Sequence, residues 1–140
     1  MIGRQKELEI LEKLYNSKKF EYLNLYGRRR VGKSTLLTEF SSLHRCIFMT
    51  GQEKNNALNI SDLTRAICEY FFCAFVPEFK EWKPIFEFLT DLIERNAKNE
   101  KVVIIIDEFP YIAKEDPSVK SALQTIIDRE WKNMPNVLLI

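Results

Sequence analysis

Gly27-Arg28-Arg29-Arg30-Val31-Gly32-Lys33-Ser34 fits the pattern G-x-x-x-x-G-K-[ST] at every fixed position. That spacing suits a loop that wraps phosphate. Gly27 and Gly32 allow backbone angles and close approaches that a side chain would forbid. The loop amides then face inward as an anion site at the positive end of a helix dipole. Lys33 brings an ammonium to the β- and γ-phosphates, and Ser34 offers a hydroxyl to Mg²⁺. Thr35 is counted with the loop as a nucleotide contact. Arg28, Arg29 and Arg30 belong to the loop but fall at its unspecified positions. Their guanidinium groups are expected to face solvent or a partner rather than phosphate.

A second acidic site complements the first. Val102-Val103-Ile104-Ile105-Ile106 is a continuous β-branched run, as expected of a strand buried on both faces of a parallel sheet. It delivers Asp107-Glu108 at its carboxyl end, where an open α/β sheet gathers its ligand chemistry. This is a Walker B arrangement. Asp107 is expected to hold Mg²⁺, directly or through water. Glu108 is placed to polarise an attacking water as general base, with Lys33 as its catalytic partner on the phosphates. An acid directly after Asp107 favours hydrolysis over transfer to a small-molecule acceptor, so a kinase reading is disfavoured.

These residues need a strand and a helix to position them. Residues 20–26 alternate apolar and polar side chains with aromatics, as a strand does. Residues 34–40 carry Leu36, Leu37 and Phe40 on one helical face. Ahead of them, residues 3–16 form an amphipathic helix with Leu8, Leu11, Leu14 and Tyr15 on one side. Residues 45–50 read as a second strand and 51–59 as a polar surface loop. Ser61-Asp62 is expected to start a helix that ends in the apolar run 71–76 before Pro77. A helix over 82–96 puts Ile85, Phe86, Leu89, Leu92 and Ile93 inward, and the Phe and Trp cluster reads as core. Another helix starts at Asp116-Pro117-Ser118 and runs to about Trp131. Residues 137–140 are a strand.

Composition bounds the rest. A chain of 140 residues with 46% apolar content suits one domain with a real core. The net charge of +1 gives no global electrostatic case for nucleic acid. Cys46, Cys68 and Cys73 form no C-x-x-C pair and read as reduced core thiols, and His44 is alone. No apolar run reaches the length of a membrane span, and the opening residues lack a signal-peptide core. The expected compartment is the cytoplasm.

Three segments together resemble a known family. Ile2-Gly3-Arg4-Gln5-Lys6-Glu7-Leu8, the loop from Tyr26 to Ser34, and Ile106-Asp107-Glu108-Phe109-Pro110-Tyr111 look like the archaeal-type ATPases, a branch of AAA+ and STAND-like P-loop ATPases. The resemblance covers nearly the whole chain. It implies a three-layer α/β P-loop NTPase fold of the Rossmann-like ASCE type, with a parallel sheet and ATP as nucleotide. It also implies that Gly3 and Arg4 lie beside the adenine. The family's strand order puts the fourth strand between the first and the third, with a fifth flanking the first. The chain therefore reads as the N-terminal part of an ATPase domain, ending after the fourth core strand, with lid and C-terminal domain absent. That reading exposes residues 20–26 as a sheet edge and predicts self-association there, most simply as a homo-oligomer. The alternative function is a nucleotide-dependent switch or interaction module with negligible turnover.

Overall fold

The computed structural model describes residues 2–25, 32–53 and 55–140. Its elements, in chain order, are α1 (Ile2–Tyr15), β1 (Glu21–Tyr22), α2 (Lys33–Leu43), β2 (Cys46–Thr50), α3 (Asn56–Phe71), α4 (Trp82–Asn96), β3 (Val102–Asp107), α5 (Phe109–Glu115), α6 (Ser118–Arg129) and β4 (Val137–Leu139). A 3₁₀ turn at Trp131–Asn133 joins the last two.

The four strands form one parallel sheet in the order β1-β4-β3-β2. β3 is central, and all six of its residues are buried. Its β-branched side chains alternate between two faces, because successive Cβ atoms point to opposite sides of a strand. Val103 and Ile105 meet Leu138 of β4, Leu36, Leu37 and Phe40 of α2, and Leu11 of α1. Val102, Ile104 and Ile106 meet Ile47 and Met49 of β2 and the apolar faces of α3, α4, α5 and α6. Helices therefore cover both faces of the sheet, and the fold is a three-layer α/β arrangement.

The larger layer centres on α4. Trp82, Ile85, Phe86, Leu89 and Ile93 are all completely buried, and each such side chain contributes roughly 1.5–3 kcal/mol of apolar burial. The buried Trp131 indole donates to Thr90 Oγ1 at 2.7 Å, and Thr90 donates to the Phe86 carbonyl. Its polar atom is thereby satisfied inside the core.

Local differences from the sequence reading have physical causes. The first strand pairs only over Glu21–Tyr22, with one further bond from Leu23 N–H to the Leu139 carbonyl. Residues 23–25 continue beyond the ladder, and Tyr26 lies outside the described residues. α3 starts at Asn56, not Ser61, because the Asn55 side chain caps it by accepting from Leu58 N–H. Residues 56–59 of the expected 51–59 loop are thus helix. The apolar run 71–76 is not core throughout. The helix stops at Phe72 in a left-handed conformation, and Phe72, Phe75 and Val76 are exposed. α5 was not visible in the sequence pattern. α4 runs over the expected 82–96.

Candidate functional site

The site lies at the carboxyl ends of the strands, where β3 delivers acid and α2 delivers cation and hydroxyl. Gly32 opens α2 with φ of 83°, a left-handed value that favours glycine, and its carbonyl accepts the first helical bond from Leu36 N–H. Lys33, Ser34 and Thr35 follow in the first turn. Lys33 is half-buried, and Ser34 and Thr35 are exposed.

Asp107 is the organising carboxylate, only 4% exposed. Its Oδ1 receives Lys33 Nζ at 2.9 Å and Glu108 N–H at 3.0 Å. Its Oδ2 accepts the Ser34 hydroxyl at 3.2 Å. A buried carboxylate needs such partners, since an unpaired one would carry a large desolvation cost. Glu108 is next in chain and caps α5 in a left-handed conformation, φ 57° and ψ 39°. For a residue with a side chain that backbone costs roughly 1–2 kcal/mol. Its carboxylate stands 3.9 Å from Lys33 Nζ. One ammonium therefore serves two acids that leave the sheet at the same point.

Beside these charges opens a cavity of about 330 Å³. Lys33, Asp107 and Glu108 form its charged end, and Tyr22, Leu25, Phe109, Pro110 and Ile140 are among its apolar walls.

The donor set fits a hard cation. Ser34 Oγ and Asp107 Oδ2 are adjacent oxygens on different elements, the ligand types that Mg²⁺ prefers. Among the described residues no group of three or more His, Cys, Asp or Glu side chains converges. A site here would rely on these two oxygens plus phosphate and water, as Mg²⁺ commonly does.

Of the residues singled out from sequence, Lys33, Ser34, Asp107 and Glu108 meet at this corner, Gly32 opens the helix that carries the first two, and Thr35 follows them, exposed. Gly3 and Arg4 lie in the first turn of α1, the helix whose Leu11 packs with α2 against the sheet. Gly27, Arg28, Arg29, Arg30 and Val31 lie outside the described residues. Sequence reading missed Gly51, which follows β2 beside Glu108, and Asn59 of α3, which holds the next residue. Gly51 N–H donates to the Asp107 carbonyl at 2.8 Å. The fully buried Asn59 holds the Gln52 backbone through both its amide atoms. The only sequence hint was a glycine at a strand end.

Among the described residues no helix is long and apolar enough to cross a membrane. The chain is 32% identical, over 99% of its length, to an uncharacterized protein of Methanocaldococcus jannaschii, and spans 28% of that relative's length. It is 49% identical over 39 residues to an uncharacterized ATP-binding protein of the same organism, which covers 28% of this chain and 66% of that relative. The sequence model of a family described as an ATPase domain predominantly from Archaea matches residues 1–140. With that match and a parallel sheet whose β3 brings Asp107 to Lys33 of α2, the chain belongs to this archaeal family of P-loop ATPase domains.

Proposed function

We propose that the chain binds ATP with Mg²⁺ through the loop 27–34 and hydrolyses it. The observation that carries this reading is the meeting of Lys33 with both Asp107 and Glu108, at 2.9 and 3.9 Å. The roles follow from charge and reach. The amides of residues 27–32 cradle the phosphates, with Lys33 turning from Asp107 towards the β- and γ-oxygens. Ser34 and Asp107 would hold the metal, and Thr35 is assigned to the nucleotide with the loop. A bound Mg²⁺ supplies neutralising charge on the phosphate oxygens. Glu108 takes the proton of the attacking water, and Lys33 steadies the charge that develops on the γ-phosphate.

Gly3 and Arg4 are assigned to the adenine end, on the likeness of the opening segment to archaeal-type ATPases. The AAA+ and STAND-like branch is supported by β4 lying between β1 and β3 and by the acid directly after Asp107. A cytoplasmic setting is supported by three cysteines that are all free. In the sheet, β1 has β4 on one side only among the described residues, which supports pairing with a further strand or a second copy.

Steady-state phosphate release with Mg-ATP tests the reading. Glu108→Gln should slow it by about 10²- to 10⁴-fold while ATP still binds. Tight ATP binding with no release from the wild-type chain would instead favour a nucleotide-dependent switch. Transfer of the γ-phosphate to a metabolite rather than water would favour a kinase.

A further inference from the structure

Glu108 reaches Lys33 from a left-handed backbone that something must maintain. The neighbouring strand supplies a candidate. β2 ends at Thr50, in register with Asp107, and Gly51 follows. Gly51 N–H donates to the Asp107 carbonyl at 2.8 Å. A Cβ on Gly51 would stand 2.7 Å from the Glu108 carbonyl oxygen and 2.6 Å from Ile112 Cγ1. The first of these is backbone and cannot swing aside. That carbonyl also accepts from Tyr111 N–H at 3.0 Å, in the opening turn of α5.

Gly51 is itself held on its far side. Asn59 is completely buried. Its Oδ1 accepts Gln52 N–H at 2.9 Å, and its Nδ2 donates to the Gln52 carbonyl at 3.0 Å. The segment after β2 is thus fixed between Asp107 and α3. It cannot retreat to make room for a side chain, so any added bulk must move the Glu108 turn.

We propose that Gly51, clamped through Gln52 by Asn59, is a positioning residue for Glu108. Its bare Cα lets the turn after β3 close, and the closed turn aims the Glu108 carboxylate at the reacting phosphate. This inference rests on Glu108 being the base for hydrolysis.

The test compares wild-type chain, Gly51→Ala, and Gly51→Ala combined with Ile112→Ala, by phosphate release and by binding of a fluorescent ATP analogue. Gly51→Ala should lower kcat by about 10- to 100-fold, with KM and analogue binding within about threefold of wild type. The double variant removes the side-chain clash but keeps the backbone one, so its kcat should stay low. Recovery to within about threefold of wild type would reduce Gly51 to a packing role against Ile112 and overturn the proposal. An unimpaired Gly51→Ala would do the same. If Gly51→Ala alone does not fold, the double variant decides by the same two readouts. A wild-type chain that binds the analogue but releases no phosphate would instead remove the hydrolysis reading itself, and this inference with it.

Discussion

The Ser34 hydroxyl donates to Asp107 Oδ2 at 3.2 Å, across 73 residues of sequence. The contact joins the first turn of α2 to the end of β3 and sets two oxygens side by side. Replacing Asp107 with Asn keeps an oxygen but removes the charge that would hold a divalent cation. ATP affinity measured by calorimetry should therefore fall more with Mg²⁺ present than in excess chelator. Equal losses under the two conditions would remove Asp107 from the metal role.

Lys33 faces two carboxylates, so its removal has two consequences. The loop loses its fixed cation, and Lys33→Ala should weaken ATP binding by about 2–4 kcal/mol. Asp107, nearly buried, also loses its ion-pair partner. The apo variant should then unfold at lower denaturant than wild type, since an uncompensated buried charge is costly. Unchanged affinity by calorimetry would refute the phosphate assignment.

The core strand and the helix at 82–96 were legible because their signals are local. Five β-branched residues in a row at 102–106 suit a doubly covered strand, and the 3.6-residue apolar repeat of α4 suits a helix. That Lys33 and Ser34 open a helix near the strand end carrying Asp107 was legible from residue types and spacing, but the direct Lys33–Asp107 ion pair was not, since the sequence assigns Lys33 to phosphate. The start of α3 was not, since Asn55-Asn56 is a loop signal until Asn55 acts as a cap and Asn56 finds Trp82 and Asp116. Asn59 is polar and yet fully buried, for a tertiary reason that no pattern carries. The stop at Phe72 was hidden because a left-handed cap is normally signalled by glycine or asparagine, and here it is phenylalanine. Gly51 could be noticed but not explained, because the atoms it makes room for belong to Glu108, in the turn after β3, and to Ile112 of α5.

Asp116 is the junction of α3, α4 and α6. It accepts from Ser118 N–H and Oγ at the start of α6 and from Asn56 Nδ2, and Asn56 accepts from the Trp82 indole. The Ser118 hydroxyl first, then the Ser118 amide and Asn56, hold its carboxyl below the ordinary value of 3.8. A depressed folded value means that the charged form stabilises the fold. The contribution is complete above pH 3.8 and is lost as pH falls through the lower folded value. Asp116→Ala should cost about 0.5–2 kcal/mol at neutral pH, as loss of a capping acceptor does. In urea unfolding, the gap to wild type should narrow below pH 3.8. A gap that stays constant through the acid range would show that the network has no preference for the carboxylate.

Two phenylalanines that look alike in sequence occupy opposite environments. Phe86 is completely buried, with its ring between Trp82 at 6.2 Å and Trp131 at 6.0 Å. Phe75 is 85% exposed, in the segment between α3 and α4. Truncating Phe86 to Ala should cost about 3–5 kcal/mol, because the surrounding layer cannot collapse into the space. Phe75→Ser should change stability by no more than about 0.5 kcal/mol, since a side chain already in water has little burial to lose. It should also reduce any self-association, because an exposed aromatic next to Phe72 and Val76 makes an apolar patch. Urea unfolding of the two variants at one protein concentration measures the contrast. A cost above about 2 kcal/mol for Phe75→Ser would mean that the segment between α3 and α4 packs onto the domain in solution and Phe75 is core after all.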